Sequence, residues 1–232
     1  MGKAKKSALK LLPPDWRETM FDRASQLDWR ESRPQLLPAL ALLRVIGCRP
    51  TEIERGVRIL YRNGALLINV SGAKCSEERG IRTRVYKFEI GPPPDTHPAL
   101  QTLREFAEQN GTDGEALVTH KADYLYNSVT ALGKAVFPKL RTRVSPYCFR
   151  HQIASDLKAD PDVPLKDAAM FMGHLSDYSI GRYGRAAHGK RGGGRVKPLA
   201  VRASQPVKHS PKVDKLARFK IASANRRKLT PS

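Results

Sequence analysis

The stretch GHLSDYSIGRYGR (residues 173–185) holds Tyr183 between Arg182 and Arg185, nine residues after His174. An aromatic in so polar a segment is either part of a basic DNA-binding face or a hydroxyl that acts on something negatively charged. Two more stretches bear on the choice. In GCRPTEIE, Arg49 is followed one helical turn later by Glu52, where the carboxylate can pair with Arg49 or another cation and fix its fork. Taken alone, that spacing equally describes a solvated surface pair. In SPYCFRHQIASDL, Tyr147 and Arg150 share one side of a helix, with His151 adjoining. If two arginines from separate helices converge, their forks match phosphate oxygens and stabilise the charge that grows on a pentacoordinate phosphorus.

The elements needed to position these residues can be read from periodicity. Ser145 and Pro146 mark a helix start, and Phe149, Ile153, Ala154 and Leu157 recur at helical spacing as its core side. Helices are expected at 13–25, 34–47 (apolar nearly all round, hence buried), 51–56, 98–109, 122–136, 146–158, 164–172 and 176–186. Between them, VRILY, ALLINVSGAK after Asn63 and Gly64, and IRTRVYKFEI read as three short antiparallel strands. At about 100° per residue, His174 and Tyr183 fall on opposite sides of one continuous helix, so they can share a pocket only if the helix is interrupted. Ser176 and Asp177 supply a break and a fresh cap, which puts Tyr183 in the last turn with Gly184 as a stop. Tyr178, in the first turn of the new helix, is the rival nucleophile.

The fold class is therefore α+β, mainly helical with a small three-stranded antiparallel edge sheet. The compact domain is expected at 1–188, followed at 189–232 by a basic flexible linker (GKRGGGR, then prolines) and a C-terminal amphipathic helix over 213–229.

Composition agrees with a polyanionic partner. The 232 residues carry 42 Lys and Arg against 22 Asp and Glu, a net charge of +20, and 40% hydrophobic residues suffice for a core. Residues 184–232 hold 14 of these cations against a single acid, so about two-thirds of the net charge lies in the last fifth of the chain. Composition by itself leaves a ribosomal or membrane-surface protein open. Three scattered cysteines (Cys48, Cys75, Cys148) make neither a disulfide framework nor a zinc motif, which suggests a reducing cytoplasm. No apolar run is long enough for a signal sequence or a membrane span.

Taken together, these residues resemble the catalytic domain of the tyrosine recombinases, the phage-integrase family of site-specific DNA recombinases, over roughly residues 12–186. A glycine-x-arginine segment with an acid three residues on is matched by Gly47, Arg49 and Glu52; a lysine on the turn between two strands by Lys74 in SGAKCSEERG; a His-x-x-Arg-His box by YCFRH, giving Arg150 and His151; and a Leu-Gly-His segment with tyrosine nine residues on by MGH and Tyr183. Tyr147 departs from the pattern by replacing the first histidine of the box. The resemblance implies attack by Tyr183 on a scissile DNA phosphate, a 3′-phosphotyrosyl link and a free 5′-hydroxyl, with no cofactor: neither metal nor ATP. It gives Arg49 and Arg150 the non-bridging oxygens, His174 a hydrogen bond to one of them, Lys74 the proton for the leaving oxygen, and Glu52 and His151 supporting roles. Arg182 and Arg185 then hold the flanking DNA backbone. The implied partners are double-stranded DNA and further copies of the chain, a homo-tetramer on DNA linked through the C-terminal tail, in a cytoplasmic, nucleoid-associated setting. The N-terminal DNA-clamping domain common in the family has no match, as in the short fimbrial invertases or an isolated catalytic fragment. Two other classes stand beside recombination and integration: a type IB topoisomerase, and a non-catalytic DNA-binding relative, which the Tyr147 departure favours.

Overall fold

The computed structural model describes residues 8–27, 35–77, 80–92, 94–189 and 194–214. Helix α1 (Trp16–Ser25) leads to α2 (Leu36–Ile46), whose eleven residues are almost all buried, as an all-round apolar pattern requires. The helix stops at Gly47, which takes a left-handed φ of 63° and donates its N–H to Leu42 and Leu43. A side chain there would press on Arg150 Cα and Ile153 Cδ1, so the glycine also lets a later helix pass close by. Arg49 then caps the short α3 (Pro50–Glu54) in extended conformation, with Pro50 at the first helical position.

Strands β1 (Val57–Arg62) and β2 (Ala65–Ser71) form a hairpin about Asn63 and Gly64, both at positive φ, which is the turn those two residues favour. Strand β3 (Thr83–Glu89) pairs with β2. Helix α4 (Pro98–Asn110) follows, then β4 (Glu115–Val118), α5 (Ala122–Val136), α6 (Pro146–Ala159) and α7 (Leu165–Phe171). A 3-10 helix (Asp177–Arg182) precedes Tyr183, and β5 (Ala200–Ala203) comes from the basic tail.

The α+β expectation holds as a mix of helices and one antiparallel sheet, but the sheet has five strands in the order β4-β1-β2-β3-β5, which corrects the three expected. The additional strands are four residues long and sit at the two edges, where alternation is too short to stand out from loop sequence. β5 also corrects the reading of its own stretch as flexible linker. Gly194 O accepts from Arg17, Arg195 pairs with Asp160 at 3.0 Å, and β5 lies antiparallel to β3, so the described body runs past residue 188 to Asp214. Most of the expected helix over 213–229 lies outside the described residues. One hydrophobic core joins helices and sheet, and a smaller cluster of Ile81, Ala169, Leu175 and Val207 seals the tail against the turn after α7. Among the described residues, no helix is long and apolar enough to cross a membrane.

Candidate active site

Arg49 and Glu52 are not a solvated pair. Glu52 is fully buried; its Oε1 accepts from Arg49 Nη1 at 2.7 Å and its Oε2 from the Arg49 backbone N–H at 2.8 Å. Because Arg49 is the residue before Pro50, its extended backbone turns the side chain back over the helix start that Glu52 caps. Glu52 also pairs with a second buried arginine, Arg84 on β3, with Nη2 to Oε2 at 3.1 Å. Burial alone would raise the Glu52 pKa; Arg84, Arg150 and Arg49 outweigh it and hold the carboxyl down to about 2.

Arg150, on the face of α6 that packs under Gly47, is 1% exposed. It donates from Nη1 to Gly47 O at 2.8 Å and from Nη2 to Met172 O, which ties the start of α3 to the turn after α7. Its guanidinium carbon is 5.0 Å from the centre of the Tyr183 ring. The ring also stacks on His174 (centroids 4.9 Å, planes 26° apart) and leans on His151 at 5.3 Å. Arg150 and Arg49 both act electrostatically on the Tyr183 phenol. Burial would raise the phenol's pKa, but the two guanidiniums outweigh it and bring it below the ordinary value of 10. His174 is 5% exposed, and among the described residues neither ring nitrogen has a hydrogen-bond partner. Burial, with Arg150, Arg49 and Arg84 around it, drives its pKa well below that of an ordinary histidine, so the imidazole is neutral with one donor available. Cys48, adjoining the cluster, is pushed up to about 12 by burial and by Glu52; it stays a thiol and is no rival nucleophile.

The interruption required between His174 and Tyr183 is present. Ser176 caps the 3-10 helix by accepting from the Tyr178 N–H, and Tyr183 follows its last turn in extended conformation. Two side chains of α6 hold the backbone there: His151 Nδ1 accepts from the Gly184 N–H at 3.0 Å, and Lys158 Nζ donates to the carbonyls of Tyr183 (2.7 Å) and Gly184. His151 thus supports the backbone beside the nucleophile.

Of the remaining expected residues, Arg182 and Arg185 are exposed on either side of Tyr183, and Tyr147 is half-buried in the first turn of α6. Lys74 is exposed on the β2–β3 connection; among the described residues no hydrogen bond or ion pair joins it to the cluster. Tyr178 is 49% exposed and faces Lys212 at 5.8 Å, away from the buried arginines. Arg84 and Lys158 went unseen in the sequence. Arg84 carried a signal, since it shares strand parity with the buried Tyr86 and Phe88.

The tail is fastened beside this site. Asp177, 2% exposed, accepts from His209 Nδ1 at 2.7 Å and from the Ser210 N–H at 2.9 Å, while Asp177 N–H donates to Lys208 O. The hydrogen bond to Asp177, with Asp214 on the other ring nitrogen at 3.3 Å, raises the His209 pKa. A raised folded pKa means that the attachment is fully present below the unfolded value of about 6.5 and is lost as pH rises through the folded one. In an NMR titration, His209 should therefore titrate above an ordinary histidine, and Asp177→Asn should bring it back; an unchanged midpoint would dismiss the clasp.

No protein-family model matches the chain, and no curated protein does. Among solved structures the chain is similar to a crystal structure of XerA recombinase, at 16% identity and a TM-score of 0.49 over 74% of this chain. The chain spans 58% of the length of that recombinase.

Proposed function

We propose that the protein cleaves and rejoins DNA as a site-specific recombinase or integrase, through a 3′-phosphotyrosyl intermediate on Tyr183. One observation carries this reading: the Tyr183 ring lies against the buried Arg150 guanidinium at 5.0 Å, and Arg150 and Arg49, from separate elements, act together on its phenol, in a cluster where three buried arginines face one buried carboxylate. The formal excess of two positive charges, out of water, is a site for an anion, and the hydroxyl lies among the donors that would hold it. A net charge of +20 makes the DNA backbone the anion of choice.

In this reading the guanidiniums favour phenolate, whose oxygen attacks phosphorus as the bond to the 5′-oxygen breaks. Lys74 protonates that leaving oxygen. His174, whose ring nitrogens have no partner among the described residues, donates to a non-bridging oxygen beside those held by Arg49 and Arg150, and the donors are in place before charge develops. Rejoining is the reverse, with the 5′-hydroxyl attacking the phosphotyrosine, so the bond is conserved without ATP. Arg182 and Arg185 hold the backbone on either side, and the active species is a tetramer on duplex DNA.

The test is covalent capture from the host. Reactions are stopped with strong denaturant, DNA attached to the protein is recovered, its junctions are sequenced and the modified peptide is mapped by mass. An adduct on Tyr183 at a defined sequence supports the reading. Relaxation of a plasmid that lacks any such sequence would favour a topoisomerase instead. DNA binding with no adduct, while a known recombinase traps normally in parallel, would overturn the catalytic reading.

A further inference from the structure

The buried charges of the site are unevenly shared. Among the described residues Arg150 makes no ion pair with a carboxylate, and its hydrogen-bond partners are the carbonyls of Gly47 and Met172. Glu52 therefore serves Arg49 and Arg84 together. Arg84 is also the one arginine of the three anchored in the sheet. Its strand is paired on both sides, with Val70 opposite on β2 and Ala203 on β5, so its backbone is fixed. From there the guanidinium reaches Glu52 with Nη2 and lies against Gly173, where an added Cβ would run into Nη1. Gly173 holds a φ of 69° and directly precedes His174. Two residues along the same face of β3, Tyr86 donates its hydroxyl to Phe171 O. β3 thus grips the turn that presents His174 at two points.

We propose that Arg84 is a positioning residue of this site: it shares Glu52 with Arg49, so that Arg49 keeps positive charge for the phosphate, and it packs against Gly173 to set His174 over the Tyr183 ring. This deepens the recombinase reading and rests on it. Without Arg84, Glu52 and Arg49 form a balanced pair and Arg150 alone supplies net charge. With it, the excess is two. A phosphodiester carries one negative charge, and a second accumulates on the non-bridging oxygens as the pentacoordinate state forms. The charge that Arg84 leaves over therefore matches the transition state more closely than the bound ground state, and its loss should fall on the rate of cleavage more than on DNA affinity.

Arg84 is buried, so the same variants must be checked for folding by thermal melting before rates are compared. On a DNA fragment identified by covalent capture, Arg84→Met should lower the adduct-forming rate at saturating DNA by roughly 10- to 100-fold, the range seen when a supporting partner of a site is removed. The DNA concentration at half-maximal rate should change little. Arg84→Lys, which restores the charge on a shorter arm, should recover part of the loss and carries the test if the methionine variant does not fold. The double variant Arg84→Met with Glu52→Gln removes one charge of each sign and returns the excess to two, so it should react faster than Arg84→Met alone; a purely structural role predicts a double variant as poor or poorer. Orthovanadate, which adopts the pentacoordinate geometry, supplies a readout without DNA: by calorimetry its affinity should fall in Arg84→Met and rise again in the double variant. A folded Arg84→Met or Arg84→Lys protein with wild-type maximal rate and vanadate affinity, or a double variant no better than the single, would overturn the role of Arg84 while leaving adducts on Tyr183 untouched. Absence of adducts in the wild type would instead sink the recombinase reading, and the vanadate titration would still decide whether Arg84 sets the anion affinity of the cluster.

Discussion

Tyr183→Phe is expected to abolish DNA-linked protein, a loss of at least about 10⁴-fold in adduct formation, the scale set by removing a nucleophile elsewhere, while the fold survives. The substitution keeps the ring and with it the contacts to His174, His151 and Arg150. It deletes only the phenol oxygen on which Arg150 and Arg49 act. Because the hydroxyl belongs to a half-buried residue, water can take its place, and stability should change by less than about 1 kcal/mol. Tyr178→Phe is the control and should leave adducts intact, since that ring faces Lys212. The wild type should also show its chemistry in pH: the attacking form is the phenolate, so adduct formation rises with pH. Arg150 and Arg49 bring that rise below the ordinary phenol range against the opposing effect of burial. Arg49→Gln, by removing one of the two cations, should move the rise toward higher pH. Adducts that persist in Tyr183→Phe would assign the nucleophile elsewhere and undo the geometry proposed for the cluster.

Much of this arrangement was legible in short-range signals. Helical spacing turns Phe149, Ile153 and Leu157 of α6 inward, and the Asn63–Gly64 turn makes the first hairpin. The demand that the chain break between His174 and Tyr183 is met by the Ser176 cap and a 3-10 run. What escaped depends on partners far along the chain. Arg84 sits at an inward position of β3, but a charge at such a position makes sense only once Glu52, on another element, is known to lie opposite. The tail reads as linker because glycine, proline and like charge dominate it; its place comes from backbone pairing with β3 and from the Asp177–His209 clasp, neither of which leaves a local pattern. Lys74 marks the opposite limit, since its expected role came from resemblance and its exposed position on the β2–β3 connection adds, among the described residues, no hydrogen bond or ion pair with the cluster.

The largest effect on stability should come from Glu52→Leu, which removes the carboxylate that sits among three buried guanidiniums. Breaking a buried ion pair from one side costs about 3–5 kcal/mol, because the cations left behind have neither water nor a counter-charge, and here Arg49 and Arg84 lose their partner together. The pH dependence separates this electrostatic role from packing. Burial alone would raise the pKa of Glu52; Arg84, Arg150 and Arg49 hold it at about 2 in the folded chain, against about 4.3 when unfolded. A depressed folded pKa contributes stability that is fully present above the unfolded value and is lost as pH falls through the folded one. The window is therefore about pH 4.3 down to 2, and the contribution is on the order of 3 kcal/mol. Urea unfolding of the wild type and of Glu52→Gln, which keeps the shape without the charge, should show a wide gap at neutral pH that narrows through this window as Glu52 takes up its proton. A gap that stays constant down to pH 2 would mean that shape and hydrogen bonding, not charge, hold Glu52 in place, and the excess positive charge at Tyr183 would then have to be explained without it.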